Sequence, residues 1–166
     1  MWIISLKFTF VTLFSNLIEP YFHDSILKRA IESNFISYEF YNPRDFTTNK
    51  HKKVDEQMVG GGAGMLLTCQ PLFDCLDEIK SKNADAYIVF PLAAAKPFRQ
   101  NDAKRLAKKK NIVFVSGRYE GIDERVIEKY ANEVFSIGEF ILTGGELPSL
   151  VMADAISRNV EKVLGN

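Results

Sequence analysis

The sequence predicts one α/β domain built on a parallel β-sheet, and three observations support this fold class. Apolar runs such as "IVFV" (112–115) are hydrophobic at every position, which is typical of strands covered on both faces. Strand-like and helical segments alternate along the chain, and glycine clusters stand where strands end. The chain has 166 residues, 46% of them hydrophobic, which is enough for one core, and no linker or repeat indicates a second domain.

The first predicted unit is a strand followed by a helix. Residues 7–14 ("KFTFVTLF") are rich in β-branched and aromatic side chains, so we predict a buried strand. Ser15 then supplies a predicted N-cap. The helical stretch that follows has Leu27, Ala30 and Ile31 on one face.

A second strand and a long polar loop come next. Residues 35–41 ("FISYEFY") have the composition of a strand, and residues 43–65 form a polar segment that ends in glycines. A loop of this length within a compact domain is usually functional. Pro71 then opens a helix, since proline is favoured in the first turn, and an apolar stripe along it consists of Leu72, Leu76 and Ile79.

The remaining predicted elements are two apolar strands with a basic helix between them. The strands are residues 86–90 ("AYIVF") and 111–116 ("NIVFVS"). Asn101 or Asp102 is the predicted cap of the helix, which we expect to continue to Lys110.

Charge and composition exclude several classes of function. The formal net charge is zero, so no whole-protein field attracts a polyanion, and contact with nucleic acid would depend on local patches. One basic patch is residues 50–53 and the other extends from Arg99 to Lys110, and on charge alone both are more typical of solvated faces. The cysteines form no disulfide framework, and the apolar N-terminus is too short to span a bilayer, so we expect a cytoplasmic location and no membrane partner.

Three glycine clusters indicate a ligand site: "GGGAG" (60–64), "GRYEG" (117–121) and "IGEFILTGGELP" (137–148). Parallel strands end at one edge of a sheet, so clusters at strand ends would converge there. Met65 stands where a G-x-G-x-x-G loop needs its third glycine, and no cluster ends in the Gly-Lys-Ser/Thr of a P-loop. The sequence therefore supports neither a Rossmann dinucleotide site nor an NTPase.

Several motifs, in one order, resemble a known family. "VGGGAGM", "GRYEGIDERV" and "EVFSIGEFILTGGELP" together are similar to the bacterial tRNA (guanine-N1)-methyltransferases, the TrmD type of the SPOUT superfamily. The resemblance runs from about residue 7 to residue 166 and includes "YNPRDF" (41–46), "DAKRLA" (102–107) and "AISRNVEKVLG" (155–165).

The resemblance implies a fold that spacing alone does not predict. Without it we would expect an ordinary open sheet, because connections rarely thread one another. SPOUT enzymes have a deep trefoil knot in the C-terminal part of the sheet and work as homodimers with each active site at the subunit interface. The knotted loops here would lie near residues 88–98, 116–121 and 135–148, and S-adenosylmethionine (SAM) would bind in them.

The family's cofactor loops can be matched position by position. The first loop, "IVFPLAAAKPF" (88–98), departs from the family's pattern, whereas the second and third match it closely. Glu120 is implied either for the cationic end of the cofactor or for a Mg²⁺ ion. The implied cofactor-binding residues are Phe90, Pro91, Gly117, Tyr119, Glu120, Gly121, Ser136, Ile137, Gly138, Phe140, Leu142, Gly144, Gly145 and Pro148.

The implied substrate is the guanosine immediately 3′ of the anticodon in certain tRNAs. An enzyme that acts on a ring atom takes the base out of its stack, and the long polar loop supplies the candidates for holding it. These candidate RNA-binding residues are Arg44, Asp45, His51, Lys53, Asp55, Gly60, Gly61, Gly62 and Met65.

Arg158 matches the family's catalytic cation. N1 of guanine carries a proton, so its methylation needs a base to remove the proton and a cation to stabilise charge developing at O6. Arg158 also lies four residues after Asp154, and an i,i+4 ion pair on the last helix is the simpler interpretation without the family match.

The family's general base is an aspartate shortly beyond "VLGN", followed by a small tRNA-binding domain. Residues 1–166 match the cofactor-binding domain only, so we expect this chain to dimerise and bind cofactor with weak or absent methyl transfer. Two alternatives stay open at this point: another SPOUT methyltransferase acting on a different RNA, or a non-catalytic module for cofactor binding or dimerisation.

Overall fold

The computed structural model describes residues 5–57, 65–118 and 121–165. The strands are β1 (Leu6–Val11), β2 (Ile36–Tyr41), β3 (Asp55–Gln57), β4 (Met65–Leu67), β5 (Tyr87–Pro91), β6 (Asn111–Val115) and β7 (Glu133–Phe135). The α-helices are α1 (Ser25–Glu32), α2 (Cys69–Lys82), α3 (Gln100–Leu106), α4 (Glu124–Tyr130) and α5 (Glu146–Ser157). No helix within these ranges is long and apolar enough to cross a membrane.

The main sheet has the order β2-β1-β6-β5-β7, and all four of its pairings are parallel. This confirms the α/β class and the parallel sheet predicted from the uniformly apolar strands. β3 and β4 form a separate antiparallel pair, with Asp55 opposite Leu67.

Helices cover both faces of the sheet, which explains why β6 is apolar at every position. Its Phe114 points into a core shared with α1, α3 and α5, where its ring stacks on Phe8 and Phe10 at centroid distances of 6.2 and 5.8 Å. Val113 and Val115 point into a second core with α2 and α4. Each fully buried side chain of this size contributes about 2 kcal/mol of transfer free energy, so the sheet is a rigid platform for the loops at its edges.

The first helix begins later than the sequence predicted, and the expected cap at Ser15 is wrong. Residues Ser15–Leu17 and Glu19–His23 form short 3₁₀ turns. Pro20 lies in the second turn and has no N–H to continue an α-helix from Ser15. Asp24 caps α1 instead, and its side chain accepts a hydrogen bond from the backbone N–H of Ser25 at 2.7 Å.

The bounds of α3 also differ from the prediction. Its N-cap is Arg99, and Asp102 contributes by accepting a hydrogen bond from the Arg99 backbone N–H at 2.9 Å. The helix ends at Leu106 and does not reach Lys110. The carbonyl of Lys110 accepts a hydrogen bond from the N–H of Lys7 in β1, so Lys110 already pairs with the sheet at the start of β6.

Candidate functional site

A cavity of about 200 Å³ lies at the carboxyl edge of β5, β6 and β7. We call it the edge cavity. The loops that follow these three strands enclose it, together with the first turn of α5. Its lining consists of residues 91–93, 117–118, 121–122, 135–138, 140–145 and 148.

The edge cavity brings together most of the predicted cofactor residues. Phe90 lies apart from it, fully buried in the core of the sheet. Tyr119 and Glu120 lie outside the described residues. The predicted residues that line the cavity are Pro91, Gly117, Gly121, Ser136, Ile137, Gly138, Phe140, Leu142, Gly144, Gly145 and Pro148.

Backbone hydrogen bonds fix the loop after β5 against the loop after β7. The N–H of Leu92 donates to the carbonyl of Phe135 at 2.9 Å. Ser136 donates its N–H to Lys96 and accepts from the N–H of Phe98, both at 2.8 Å. The loop after β5, whose sequence departs from the family's pattern, is therefore held in place by the loop after β7.

The loop after β6 and the start of α5 pack backbone to backbone. The N–H of Gly145 donates to the carbonyl of Gly117 at 2.8 Å. A Cβ atom at Gly145 would lie 2.8 Å from the Cα of Ser116, closer than side-chain atoms approach a backbone. The hydroxyl of Ser149 donates to the Gly145 carbonyl at 2.7 Å and fixes the same turn. Glycine is required at position 145 because this contact leaves no room for a side chain.

The chemistry of the cavity suits a flat, largely apolar ligand group. Its walls include Leu92, Phe135, Ile137 and Leu142, and its glycines expose backbone N–H and C=O groups. Arg118 is the one charged residue in the lining among the described residues. Within the same ranges, no three His, Cys, Asp or Glu side chains come together as a metal site would require.

Beside the cavity lies a buried group of polar side chains that the sequence did not predict. Glu146, the first residue of α5, is 2% exposed. Its Oε1 accepts a hydrogen bond from Nε of Arg118, and its Oε2 accepts one from Oγ1 of Thr12, each at 2.7 Å. The "GRYEG" motif contains Arg118, but nothing local in the sequence pairs it with a glutamate 28 residues later.

The candidate RNA-binding residues lie on the polar segment before the glycine loop. Arg44 and Asp45 belong to a 3₁₀ turn (Pro43–Phe46), and Nη1 of Arg44 donates to the carbonyl of Lys52 at 3.1 Å. His51 and Lys53 are exposed and Asp55 begins β3. Gly60, Gly61 and Gly62 lie outside the described residues, and only the backbone of Met65 is described, in β4 opposite Gln57.

A direct backbone link joins this segment to the edge cavity. Leu67, the last residue of β4, donates its N–H to the carbonyl of Gly121 at 3.1 Å. Its own carbonyl accepts from the N–H of Asp123 at 3.0 Å. The strand that follows the glycine loop is therefore anchored at the rim of the cavity.

Arg158 is exposed and lies just beyond the last residue of α5. Pro148 is the last residue of α5 that lines the edge cavity, and the ten residues from there to Arg158 correspond to a rise of about 15 Å along the helix. Arg158 and Asp154 form no ion pair, although both are described. The simpler interpretation of the last helix, an i,i+4 pair, is therefore wrong.

Comparison with known proteins gives one consistent result. The family described as "tRNA (Guanine-1)-methyltransferase TrmD" matches residues 6–166. Proteins named tRNA (guanine-N(1)-)-methyltransferase from Sulfurovum sp. (strain NBC37-1) and Sulfurimonas denitrificans are 68% and 66% identical over 161 residues. These alignments cover 97% of this chain and 71% and 70% of the two relatives.

A solved structure agrees with these relatives. The crystal structure of tRNA (m1G37) methyltransferase from Aquifex aeolicus is 31% identical and superposes with a TM-score of 0.89. The match covers 98% of this chain and 73% of that one.

Proposed function

The chain belongs to the tRNA (guanine-1)-methyltransferase TrmD family, and from this premise we propose that it methylates N1 of the guanosine at position 37 of tRNA. Membership makes it a tRNA (guanine-N1)-methyltransferase that takes the methyl group from SAM. The target position follows the name of the Aquifex aeolicus protein. A tRNA substrate is consistent with the cytoplasmic location expected from the sequence.

The observation that carries the cofactor assignment is the edge cavity. Loops after three neighbouring parallel strands meet there, and the residues that resemble the family's cofactor loops line it. Backbone groups of Ile137, Gly138 and Leu142 would read the edge of the adenine, and the apolar walls would cover its faces. When bound, SAM supplies an electrophilic methyl group on a positively charged sulfur.

We assign Arg158 the role of stabilising negative charge at O6 of the guanine. Removal of the N1 proton leaves charge on O6, and a guanidinium can donate hydrogen bonds to it. Because α5 carries Arg158 about 15 Å along its axis away from the edge cavity of its own chain, we propose that it acts at the cavity of a second copy. Glu120 is the candidate for binding Mg²⁺ or the cationic end of SAM.

Exposed apolar side chains support the proposed homodimer. Leu147 and Val151, one turn apart on α5, are 55% and 43% exposed. Leu17 and Tyr21 on the 3₁₀ turns are 53% and 52% exposed, and Tyr21 contacts α5 through Asp154. These four residues form what we call the α5 apolar face, which a second copy would cover. The edge cavity lies at the start of the same helix, as an active site at a subunit interface requires.

The trefoil knot expected from the resemblance remains part of the proposal. The contact between Gly145 and the backbone at Ser116 and Gly117 supports it, because the chain entering α5 passes directly against the loop after β6. For the RNA, exposed His51 and Lys53 would contact phosphates or the flipped base beside the glycine loop.

Two measurements test the proposal. The first is calorimetric titration of SAM into the 166-residue chain and its Gly144→Val variant, with Lys80→Val on the exposed side of α2 as the control. We expect saturable binding by the unmodified chain and the control, and none by Gly144→Val, since a side chain at position 144 would overlap Arg118 and Glu146. Absence of binding by the unmodified chain would contradict the cofactor site.

The second measurement is nucleoside analysis of RNA treated with the protein and SAM. We expect 1-methylguanosine in a tRNA transcript with guanosine at position 37 and none when adenosine replaces it. Methylation of ribosomal RNA alone would indicate a different SPOUT methyltransferase.

A further inference from the structure

The carboxylate of Glu146 is buried and is held from two directions. Thr12, which directly follows β1, is 1% exposed and donates its hydroxyl to Oε2 of Glu146. Arg118, from the loop after β6, donates Nε–H to Oε1. The pair Arg118–Glu146 therefore joins the loop after β6 to the start of α5. The hydrogen bond from Thr12 fixes the carboxylate of Glu146.

The guanidinium of Arg118 makes further contacts on its other sides. Its Nη1 lies 3.4 Å from the carbonyl of Thr143, in the loop that leads into α5. Its central carbon lies 4.6 Å from the ring centroid of Phe14, within the range of a cation–π contact. The Arg118 side chain is 19% exposed, and the residue lines the edge cavity.

The backbone that leads into α5 passes directly over this pair. A Cβ atom at Gly144 would lie 2.6 Å from Nε of Arg118 and 2.7 Å from Oε1 of Glu146. The backbone of residues 143–145, which lines the edge cavity, therefore rests on the pair itself.

We infer that Arg118 and Glu146 are positioning residues, which hold the loops after β6 and β7 in the arrangement that binds the methyl donor. This inference rests on the cofactor site proposed above. A buried ion pair is a poor source of net stability, because desolvation of both charges offsets their attraction and an apolar replacement of both partners is often neutral. The pair instead sets the geometry of two loops that are 28 residues apart in sequence.

The test separates loop geometry from stability. Arg118→Met and Glu146→Gln each leave one buried charge without its partner, so both single variants lose stability and donor affinity. In the double variant no unpaired charge remains, and its thermal midpoint returns toward that of the unmodified chain. Its affinity for SAM stays about tenfold weaker or worse, because the charge-assisted hydrogen bonds that orient the loops are still missing.

Hydrogen exchange supplies a measurement that needs no ligand. The amide of Gly145, which donates to the carbonyl of Gly117, exchanges faster in the double variant than in the unmodified chain, while the amides of β1 and β6 do not change. Arg125→Met is the matched control, because its ion pair with Asp123 is exposed and lies outside the edge cavity. Arg118→Lys keeps the charge but not the forked contacts, so it folds with near-normal stability and binds SAM more weakly.

Two results would overturn the inference: a double variant that binds SAM as tightly as the unmodified chain, or unchanged exchange of the Gly145 amide. If the double variant fails to fold, the Arg118→Lys variant decides instead, and normal SAM affinity in that variant would overturn the inference. Failure of the unmodified chain to bind SAM would contradict the proposed cofactor instead, and the exchange comparison would still decide the role of the pair.

Discussion

Tyr21 donates a hydrogen bond from its hydroxyl to Oδ2 of Asp154 at 2.6 Å and so joins the 3₁₀ turn after β1 to α5. The hydrogen bond to Asp154 and the charge of that carboxylate raise the pKa of Tyr21 above its usual value. Asp154 has thus found a partner 133 residues away in the chain, and it does not neutralise Arg158 one turn further on. The lack of this ion pair is compatible with the substrate role proposed for Arg158.

Arg158→Ala in the natural gene product is expected to lower the single-turnover rate of tRNA methylation by about 100-fold, the usual effect of removing one donor that stabilises developing charge. SAM affinity should not change, because Arg158 does not line the edge cavity of its own chain. Asp154→Asn is the control and should retain most of the rate. A parallel loss of SAM affinity in Arg158→Ala would show that the residue supports the fold of the cofactor site and not the reaction.

The parallel sheet could be predicted because its signal is local. In β6 every residue from Ile112 to Val115 is apolar, and the structure shows the reason: Phe114 packs on one layer of helices and Val113 on the other. The meeting of the described residues of the second and third glycine clusters at the edge cavity followed from the same fact, since parallel strands end at one edge. Neither inference needed a residue from a distant part of the chain.

The polar residues beside the edge cavity could not be predicted in this way. Glutamate is rarely buried, and Glu146 is buried only because Arg118 and Thr12 are brought to it by the fold. The wrong prediction of a helix cap at Ser15 has a local cause. Serine does favour the N-cap position, but Pro20 cannot continue an α-helix that begins there. Side-chain pairs between distant loops are determined by tertiary structure and carry no spacing signal.

Gly145→Ala should destabilise the fold by about 2 kcal/mol, because the added methyl group would meet backbone atoms that cannot rotate away. Urea unfolding of the 166-residue chain measures this. Gly138→Ala is the matched control in the same loop, since the atoms nearest to its added methyl group belong to the ring of Phe140, which is 54% exposed and can rotate away. Equal destabilisation by both substitutions would contradict the proposed close contact at Gly145.

The α5 apolar face predicts that Leu147→Glu combined with Val151→Glu gives a monomer. Two buried carboxylates at a subunit interface have no partner among apolar side chains, so association becomes unfavourable. Sedimentation equilibrium of the variant and the unmodified chain measures the change. Lys104→Glu on the exposed side of α3 is the control and should stay dimeric. A monomeric unmodified chain, or a dimeric double variant, would refute this interface.

Salt dependence distinguishes the two basic patches. Lys50→Gln with Lys53→Gln should weaken tRNA binding by the natural gene product and reduce the slope of log K against log salt concentration by about 1 to 2, as expected for lost phosphate contacts. Lys104→Gln with Lys108→Gln removes the same charge from α3 and the turn after it, and should leave the slope nearly unchanged. A reduced slope in the Lys104/Lys108 variant and an unchanged slope in the Lys50/Lys53 variant would show that the second basic patch contacts tRNA.

A final prediction concerns Glu133 in β7, which anchors the loop after β5. Its carboxylate accepts hydrogen bonds from Tyr87, Lys96 and Arg105 at 2.8 to 3.0 Å. Burial alone would raise the pKa of Glu133, but the hydrogen bonds from Arg105, Lys96 and Tyr87 outweigh it and lower the pKa to about 2.

Because this pKa is lowered on folding, the stabilisation from Glu133 is present above pH 4.5 and is lost as the pH falls towards about 2. The unmodified chain should lose on the order of 2 kcal/mol of unfolding free energy over this range from this group alone. Glu133→Gln removes that part of the pH dependence and is less stable than the unmodified chain at pH 6. Glu139→Gln, an exposed glutamate in the loop after β7, is the control. Urea unfolding at intervals between pH 6 and pH 3 measures the difference, and parallel curves for the unmodified chain and Glu133→Gln would show that Glu133 titrates normally.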